Sequence, residues 1–226
     1  LGQISESTKK ILYGFHNCMK FLIKKLTSNG KNLMLHDERN IMVILSSPSG
    51  VGKTTITKKI QQKYHSFKIS VSHTTRLPRS NEVNGVDYFF ISKEEFESLI
   101  ERKCFYEHAK IFENYYGTLK KNVDKLIIKN DIIFDIDWQG TKQLSKFKNL
   151  DFVKIFLITN SKEEMKNRLI KRNQNTKNEV EKRSNAFEED IKHWSDYDYI
   201  IINNNLDVCF KQIEHIILNE KKKLSI

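Results

Sequence analysis

The chain has little that breaks a backbone. Of its 226 residues only two are proline, Pro48 and Pro78, and eight are glycine. That scarcity excludes a proline- or glycine-rich linker, so one ordered domain of good size, or a domain with a small lid and an appended end, is expected. Cysteine is as sparse. Cys18, Cys104 and Cys209 are odd in number and far apart, which excludes a disulfide framework and the paired spacing of a zinc site. Such thiol usage fits a reducing compartment, and a cytoplasmic protein is expected. The seven histidines include no pair at metal-ligand helical spacing, so any metal should arrive with a substrate. Acids are outnumbered, 28 against 39 lysines and arginines, for a net charge of +11. The excess implies anionic partners without separating nucleotides from nucleic acid or acidic membranes. No nucleic-acid motif and no interleaving of aromatic with basic residues is present, so no nucleic-acid partner is expected. The apolar stretch Phe21-Leu22-Ile23 is far too short to cross a membrane, and no membrane partner is expected.

What is present is a rhythm. Apolar runs alternate with amphipathic stretches, as in a parallel sheet wrapped by helices. Ile41 to Ser46 predicts a first strand, and a helix follows from about Gly52 to Tyr64. Ser92 with Glu95 forms a capping box for a helix through about Arg102, and Ser161 with Glu164 forms another for a helix to about Asn173. Ile132 to Asp137, Val153 to Ile158 and Tyr199 to Ile202 predict further strands, and a last helix spans about Asp207 to Lys222. In the first forty residues Ile11, Leu12, Phe15, Met19, Leu22 and Leu26 fall on one helical face. An extra packing helix or an upstream extension is the preferred reading there. A targeting helix is disfavoured because no arginine precedes Arg39 and Glu6 is acidic.

Between the first strand and its helix lies Ser46-Ser47-Pro48-Ser49-Gly50-Val51-Gly52-Lys53-Thr54. This is the wiring of a phosphate-binding loop, whose backbone N–H groups converge on phosphate oxygens while the helix N-terminus adds positive potential. Lys53 would reach the terminal phosphates of a nucleoside triphosphate, and the Thr54 hydroxyl would sit on Mg2+. The usual first glycine of the pattern is replaced by Ser47.

A second stretch runs Ser70-Val71-Ser72-His73-Thr74-Thr75-Arg76-Leu77-Pro78-Arg79, then Glu82-Val83-Asn84-Gly85-Val86-Asp87-Tyr88. Two arginines three apart, stiffened by a proline and joined by hydroxyls and a tyrosine, suit the grip of a second phosphate group. Each planar guanidinium matches a pair of phosphate oxygens. Asp135 and Asp137 end the apolar run Ile132-Ile133-Phe134, where alternation sends both to one face. A carboxylate at the end of a buried strand beside a phosphate loop is where Mg2+ or its waters need a partner; the plainer alternative is that one of the two caps the next helix.

With Asn114-Tyr115-Tyr116-Gly117-Thr118 and Asp135-Ile136-Asp137-Trp138-Gln139-Gly140, these segments occur in the order and spacing of the guanylate kinase family, which the chain resembles over about Ile41 to Glu220. The resemblance implies an α/β fold of the P-loop NTPase type, with a mixed α/β GMP-binding insertion and a helical lid. It implies an N-terminal extension at 1–40 and a kinase domain at 41–226, divided into a core (41–72, 119–160 and 192–226), a GMP-binding insertion (73–118) and a lid (161–191). The implied reaction is transfer of the γ-phosphate of ATP to GMP, with dGMP a second substrate and Mg2+ accompanying ATP. Monomer and homodimer both remain open.

Carried over residue by residue, the resemblance implies an ATP site at Ser47, Pro48, Ser49, Gly50, Val51, Gly52, Lys53, Thr54, Thr55, Arg168 and Asn203. It implies that Arg76, Arg79, Tyr88 and Tyr116 hold the GMP phosphate, that Ser72, Glu107 and Thr118 hold the base, and that Asp137 lies near GMP with Asp135 near the metal. Guanine offers N1–H and N2–H donors beside the O6 acceptor. A Glu107 carboxylate can accept from both donors, whereas adenine would leave it unpaired. Lys53, Arg76, Arg172 and Arg183 would carry catalysis, the last two from the lid. Asn173-Gln174-Asn175 replaces the usual glycine and its acidic neighbours, and Asn204-Asn205 replaces the acids that usually follow the asparagine matched by Asn203. Two rivals are a non-catalytic guanylate-kinase-like module that binds phosphopeptides and a related kinase with another acceptor. Lys53, Thr54 and Asp135 argue against the first, and Ser72, Glu107 and Thr118 against the second.

Overall fold

The computed structural model describes residues 40–148, 150–171 and 177–224. The expected N-terminal helix and the lid residues Arg172 to Asn175 lie outside these. Strands β1 (Met42–Ser46), β2 (Phe67–Ser70), β7 (Asp131–Asp135), β8 (Phe152–Ile158) and β9 (Tyr199–Ile202) form an all-parallel sheet in the order β2-β7-β1-β8-β9. Every residue of β1 is buried, because helices cover both faces, so the strand reads as a continuous apolar run rather than an alternation. Val43 and Leu45 point to the face covered by α1 (Lys53–Lys63) and α7 (Leu206–Leu224), meeting Ile56, Ile60, Cys209, Ile213 and Ile217. Met42 and Ile44 point to the other face, meeting Val123 of α3 (Lys120–Ile127) and Leu144 of α4 (Trp138–Leu144). Each such aliphatic side chain contributes about 1.5–3 kcal/mol on burial.

The edge is tied by a buried acid. Asp131 accepts from the Ile41 N–H at 2.9 Å, the Ser66 hydroxyl at 2.8 Å and the Lys221 ammonium at 2.7 Å. One side chain thereby joins β1, the turn before β2 and the C-terminal helix, and the charge is neutralised where it is desolvated.

The second sheet is mixed, in the order β4-β3-β6-β5: β3 (His73–Thr74), β4 (Phe89–Phe90), β5 (Phe105–Ile111) and β6 (Asn114–Leu119). Between β4 and β5 runs α2 (Lys93–Glu101), whose first turn is capped by Ser92 accepting from the Glu95 N–H at 3.1 Å. Ser161 caps in the same way, accepting from the Glu164 N–H at 3.1 Å at the head of α5 (Lys162–Lys171), while the Glu164 carboxylate accepts from Arg168. With α6 (Lys177–Lys192) this helix encloses a small core of Met165, Leu169, Val180 and Phe187.

One boundary differs from expectation. The strand predicted through Asp137 stops at Asp135, and Asp137 is the N-cap of α4, its Oδ1 accepting from the Gly140 N–H at 2.9 Å. An aspartate three residues ahead of an unpaired helical N–H satisfies a donor that strand pairing cannot, and the cap ends the strand.

Candidate active site

The turn after β1 wraps around the N-terminus of α1. Gly50 and Gly52 have φ of 84° and 103°, the left-handed region that a side chain disfavours. Space is short as well: a Cβ on Gly50 would come within 2.9 Å of the Leu169 side chain, and one on Gly52 within 2.8 Å of Asn203 Nδ2. Ser47 occupies the first corner with its hydroxyl donating to the Pro48 carbonyl at 2.8 Å, so serine is compatible with the turn. The Val51 carbonyl is held from behind by Asn203 Nδ2 at 2.7 Å and Arg168 Nη1 at 3.2 Å. Arg168 also donates to the Asn203 carbonyl at 2.7 Å and to Glu164 at 2.5 Å. These two expected ATP-site residues therefore brace the loop.

Lys53 opens α1 and is paired with Asp135 at the end of β7. Thr57, one turn along α1, reaches the second oxygen of Asp135 at 3.5 Å and was not singled out from the sequence. Thr54 and Thr55 are exposed on the first turn. Arg183 comes from α6 to within 3.5 Å of the Ser49 hydroxyl and lies over the Phe112 ring, so this helix reaches the loop after β1.

Across the same cleft stand Arg76, Arg79, Tyr88, Tyr116, Ser72, Glu107 and Asp137. Arg76 packs 5.4 Å from the centre of the Tyr88 ring, which meets Tyr116 edge to face at 5.9 Å. Glu82 organises both arginines: it accepts from Arg76 Nη2 at 2.9 Å, Arg79 Nη1 at 3.3 Å and the Arg79 N–H at 2.8 Å. The sequence alone assigns Glu82 no role. Its signal was an acid three residues after Arg79, where it can cap the turn that presents the guanidinium.

Glu107 is buried, 3% exposed, on β5. Burial pushes its carboxyl up to about 7; the Asp137 charge adds to this, while the Thr118 hydroxyl and Lys53 oppose it. Thr118, opposite it on β6, is buried with its hydroxyl completing no hydrogen bond of ordinary geometry. Burial also raises Asp137, against the Gly140 N–H, Gln139 and Lys53. Asp190 of α6 is pushed up to about 7 by burial and then by Asp137, with Trp138 Nε1 donating to it at 3.2 Å. Two buried acids with raised pKa, Glu107 and Asp137, both within the influence of Lys53, mark a site built to meet a polar ligand.

Every expected site residue within the described part falls in or beside one cleft. Thr118 stands behind Glu107, Arg168 and Asn203 stand behind the loop, and Arg172 lies outside the described residues. A phosphate loop with its lysine, facing an arginine pair and a buried acid, defines a phosphotransferase working between two nucleotides.

Comparison with known proteins places it more narrowly. The family model described as guanylate kinase matches residues 39–220. The guanylate kinase of Clostridioides difficile is 43% identical over 189 residues, 83% of this chain and 92% of that one. That of Paramagnetospirillum magneticum is 40% identical over 186 residues, 82% and 87% of the two chains. The crystal structure of guanylate kinase from Anaplasma phagocytophilum superposes with a TM-score of 0.67 at 30% identity, covering 81% of this chain and 87% of that one. The chain belongs to the guanylate kinase family and is an enzyme of the GMP kinase type.

Proposed function

We propose that the enzyme moves the γ-phosphate of ATP to GMP or dGMP with the residue roles the cleft supports. The observation that carries this reading is that Lys53 and Asp135 face Arg76, Arg79, Tyr88, Tyr116 and Glu107 within a single cleft. The loop from Ser47 to Thr54 cradles the triphosphate, and Lys53 stabilises charge on the moving phosphoryl group. Arg76, Arg79, Tyr88 and Tyr116 hold the GMP phosphate, while Ser72, Glu107 and Thr118 hold the base. Asp137, fixed as a helix cap, lines the GMP side.

An ionised Glu107 accepts from guanine N1–H and N2–H. Those donors replace the water lost on burial and draw its pKa down again. Arg183, already beside Ser49, closes over the transferring group together with Arg172. No base is required, because a phosphate monoester is largely ionised near neutral pH, and no covalent enzyme intermediate is involved.

Among the described residues no cluster of three metal-ligating side chains occurs. The donors at hand are the oxygens of Thr54 and Asp135. Such a set fits Mg2+, which prefers oxygen ligands and completes its shell with substrate phosphates and water. When bound, Mg2+ neutralises phosphate charge. In the same reading residues 1–40 form an extension, 41–226 the catalytic domain with its insertion at 73–118 and lid at 161–191, and a reducing cytoplasm suits the free thiols of Cys104 and Cys209.

The test is an assay of ADP release with ATP, Mg2+ and each of GMP, dGMP, AMP, CMP and UMP. Turnover confined to the two guanine nucleotides is expected. Equal turnover on AMP would remove Glu107 from its role.

A further inference from the structure

We propose that Gly140 and Gln143 of α4 are positioning residues that seat the Glu107 carboxylate and thereby set the preference for guanine; this rests on the reading of Glu107 as the acceptor for the base. Glu107 belongs to the mixed sheet and α4 to the parallel-sheet core, and the two meet along one helix face. Gly140 and Gln143, three apart, share that face. A Cβ on Gly140 would lie 2.7 Å from Glu107 Oε2 and 3.1 Å from its carboxyl carbon. Gly140 lies within a helix, so it is space for the carboxylate, not backbone freedom, that requires glycine.

Gln143 works on the main chain beside it. Its Oε1 accepts from the His108 N–H at 3.1 Å, and its Nε2 donates to the His108 carbonyl at 2.7 Å and the Gln139 carbonyl at 3.3 Å. The residue after Glu107 is thus held at both backbone groups, as a neighbouring strand would hold it. The hold matters here because the pairing of β5 with β6 shifts register between Phe105 and Glu107, so β6 leaves the strand locally irregular. Gln143 fixes the backbone and Gly140 leaves room for the side chain. The carboxylate is aimed by a helix that belongs to neither strand of its own hairpin.

Two guanine donors must meet one carboxylate in register, so a displaced Glu107 can still meet one donor but not both, and GMP loses more than a nucleotide that lacks the 2-amino group. The test measures kcat and KM for GMP and for inosine monophosphate, which keeps N1–H and O6 but lacks the 2-amino group, at saturating ATP and Mg2+. Gly140→Ala, Gln143→Met and Glu107→Gln are compared with the parent. Gly140→Ala is expected to lower the ratio of kcat/KM for GMP over inosine monophosphate about 10-fold, chiefly through KM for GMP. Gln143→Met should lower it less, in the same direction, and KM for ATP should stay unchanged in both. Equal loss on the two nucleotides, or loss in kcat alone, would overturn the proposal. If Glu107→Gln collapses the ratio while the α4 variants do not, the proposal fails and the base reading stands; if Glu107→Gln leaves the ratio intact, the base reading itself fails. Should Gly140→Ala not fold, Gln143→Met decides by the same ratio.

Discussion

The two halves of the cleft are built on opposite plans. The triphosphate side is one short loop between β1 and α1, shaped by the positive φ of Gly50 and Gly52 and braced through the Val51 carbonyl. The acceptor side takes Ser72, Arg76, Arg79 and Tyr88 from loops and short strands, Glu107 and Tyr116 from β5 and β6, and Asp137 from a helix cap. In the proposed reading the first half would bind with main-chain dipoles, which any triphosphate satisfies. The second would bind with side chains, which only a particular nucleotide satisfies. Generic chemistry can be written locally, whereas specificity requires convergence of distant segments.

The hardest blow to the first half is Lys53→Ala, which should cut turnover by about 10²–10³-fold, the scale for loss of one transition-state donor. Equilibrium binding should show GMP affinity intact. A matching loss of GMP affinity would mean that the halves are not separable.

Next is Glu107→Gln, expected to raise KM for GMP about 10- to 100-fold while leaving KM for ATP alone. Because burial pushes the free carboxyl up to about 7 and only its ionised form can accept from both guanine donors, KM for GMP should climb as pH falls below about 7. The variant should lose that part of the pH dependence and keep the part that belongs to the GMP phosphate. The sign for stability is opposite to that of an ordinary surface acid. A folded-state pKa above the unfolded value means that stability without nucleotide declines as pH rises from about 4.5 to 7. Glu107→Gln should therefore raise the Tm of the nucleotide-free protein at pH 8, measured by calorimetry.

A smaller effect is expected from Asn203→Ala. The Val51 carbonyl keeps Arg168 and loses its shorter bond, so KM for ATP should rise about 3- to 10-fold with KM for GMP unaffected. Last, removal of residues 1–38 should leave both KM values and kcat unchanged, since the family match begins at residue 39.

The same contrast governs what was legible in the sequence. The phosphate loop could be read directly, because a turn set by glycines and a helix start is a contiguous signal. The parallel sheet was legible from buried apolar runs, and Ser92 and Ser161 cap their helices at the places their residues indicated. Asp137 was read onto the strand because alternation does not say where a helix cap will interrupt it. Glu107 would have passed for an exposed acid without the family resemblance, since its burial is imposed by Gly140, Thr118 and the core helix rather than by its neighbours in sequence. Glu82, Thr57, Gln143 and Asp190 were missed for one reason: each acts through a partner whose position only the fold defines.

Glu82 has a consequence beyond geometry. By accepting from both Arg76 and Arg79, it is an anion that the protein carries within the phosphate site we propose. Any incoming phosphate competes with a tethered carboxylate whose local concentration no solute matches. Free phosphate or sulfate gains from the arginines only what it takes from Glu82. A guanine nucleotide brings a second set of contacts at the base and can outbid the tether. In that reading the pocket would be buffered against simple salts and would release its attraction to ligands that engage both ends at once.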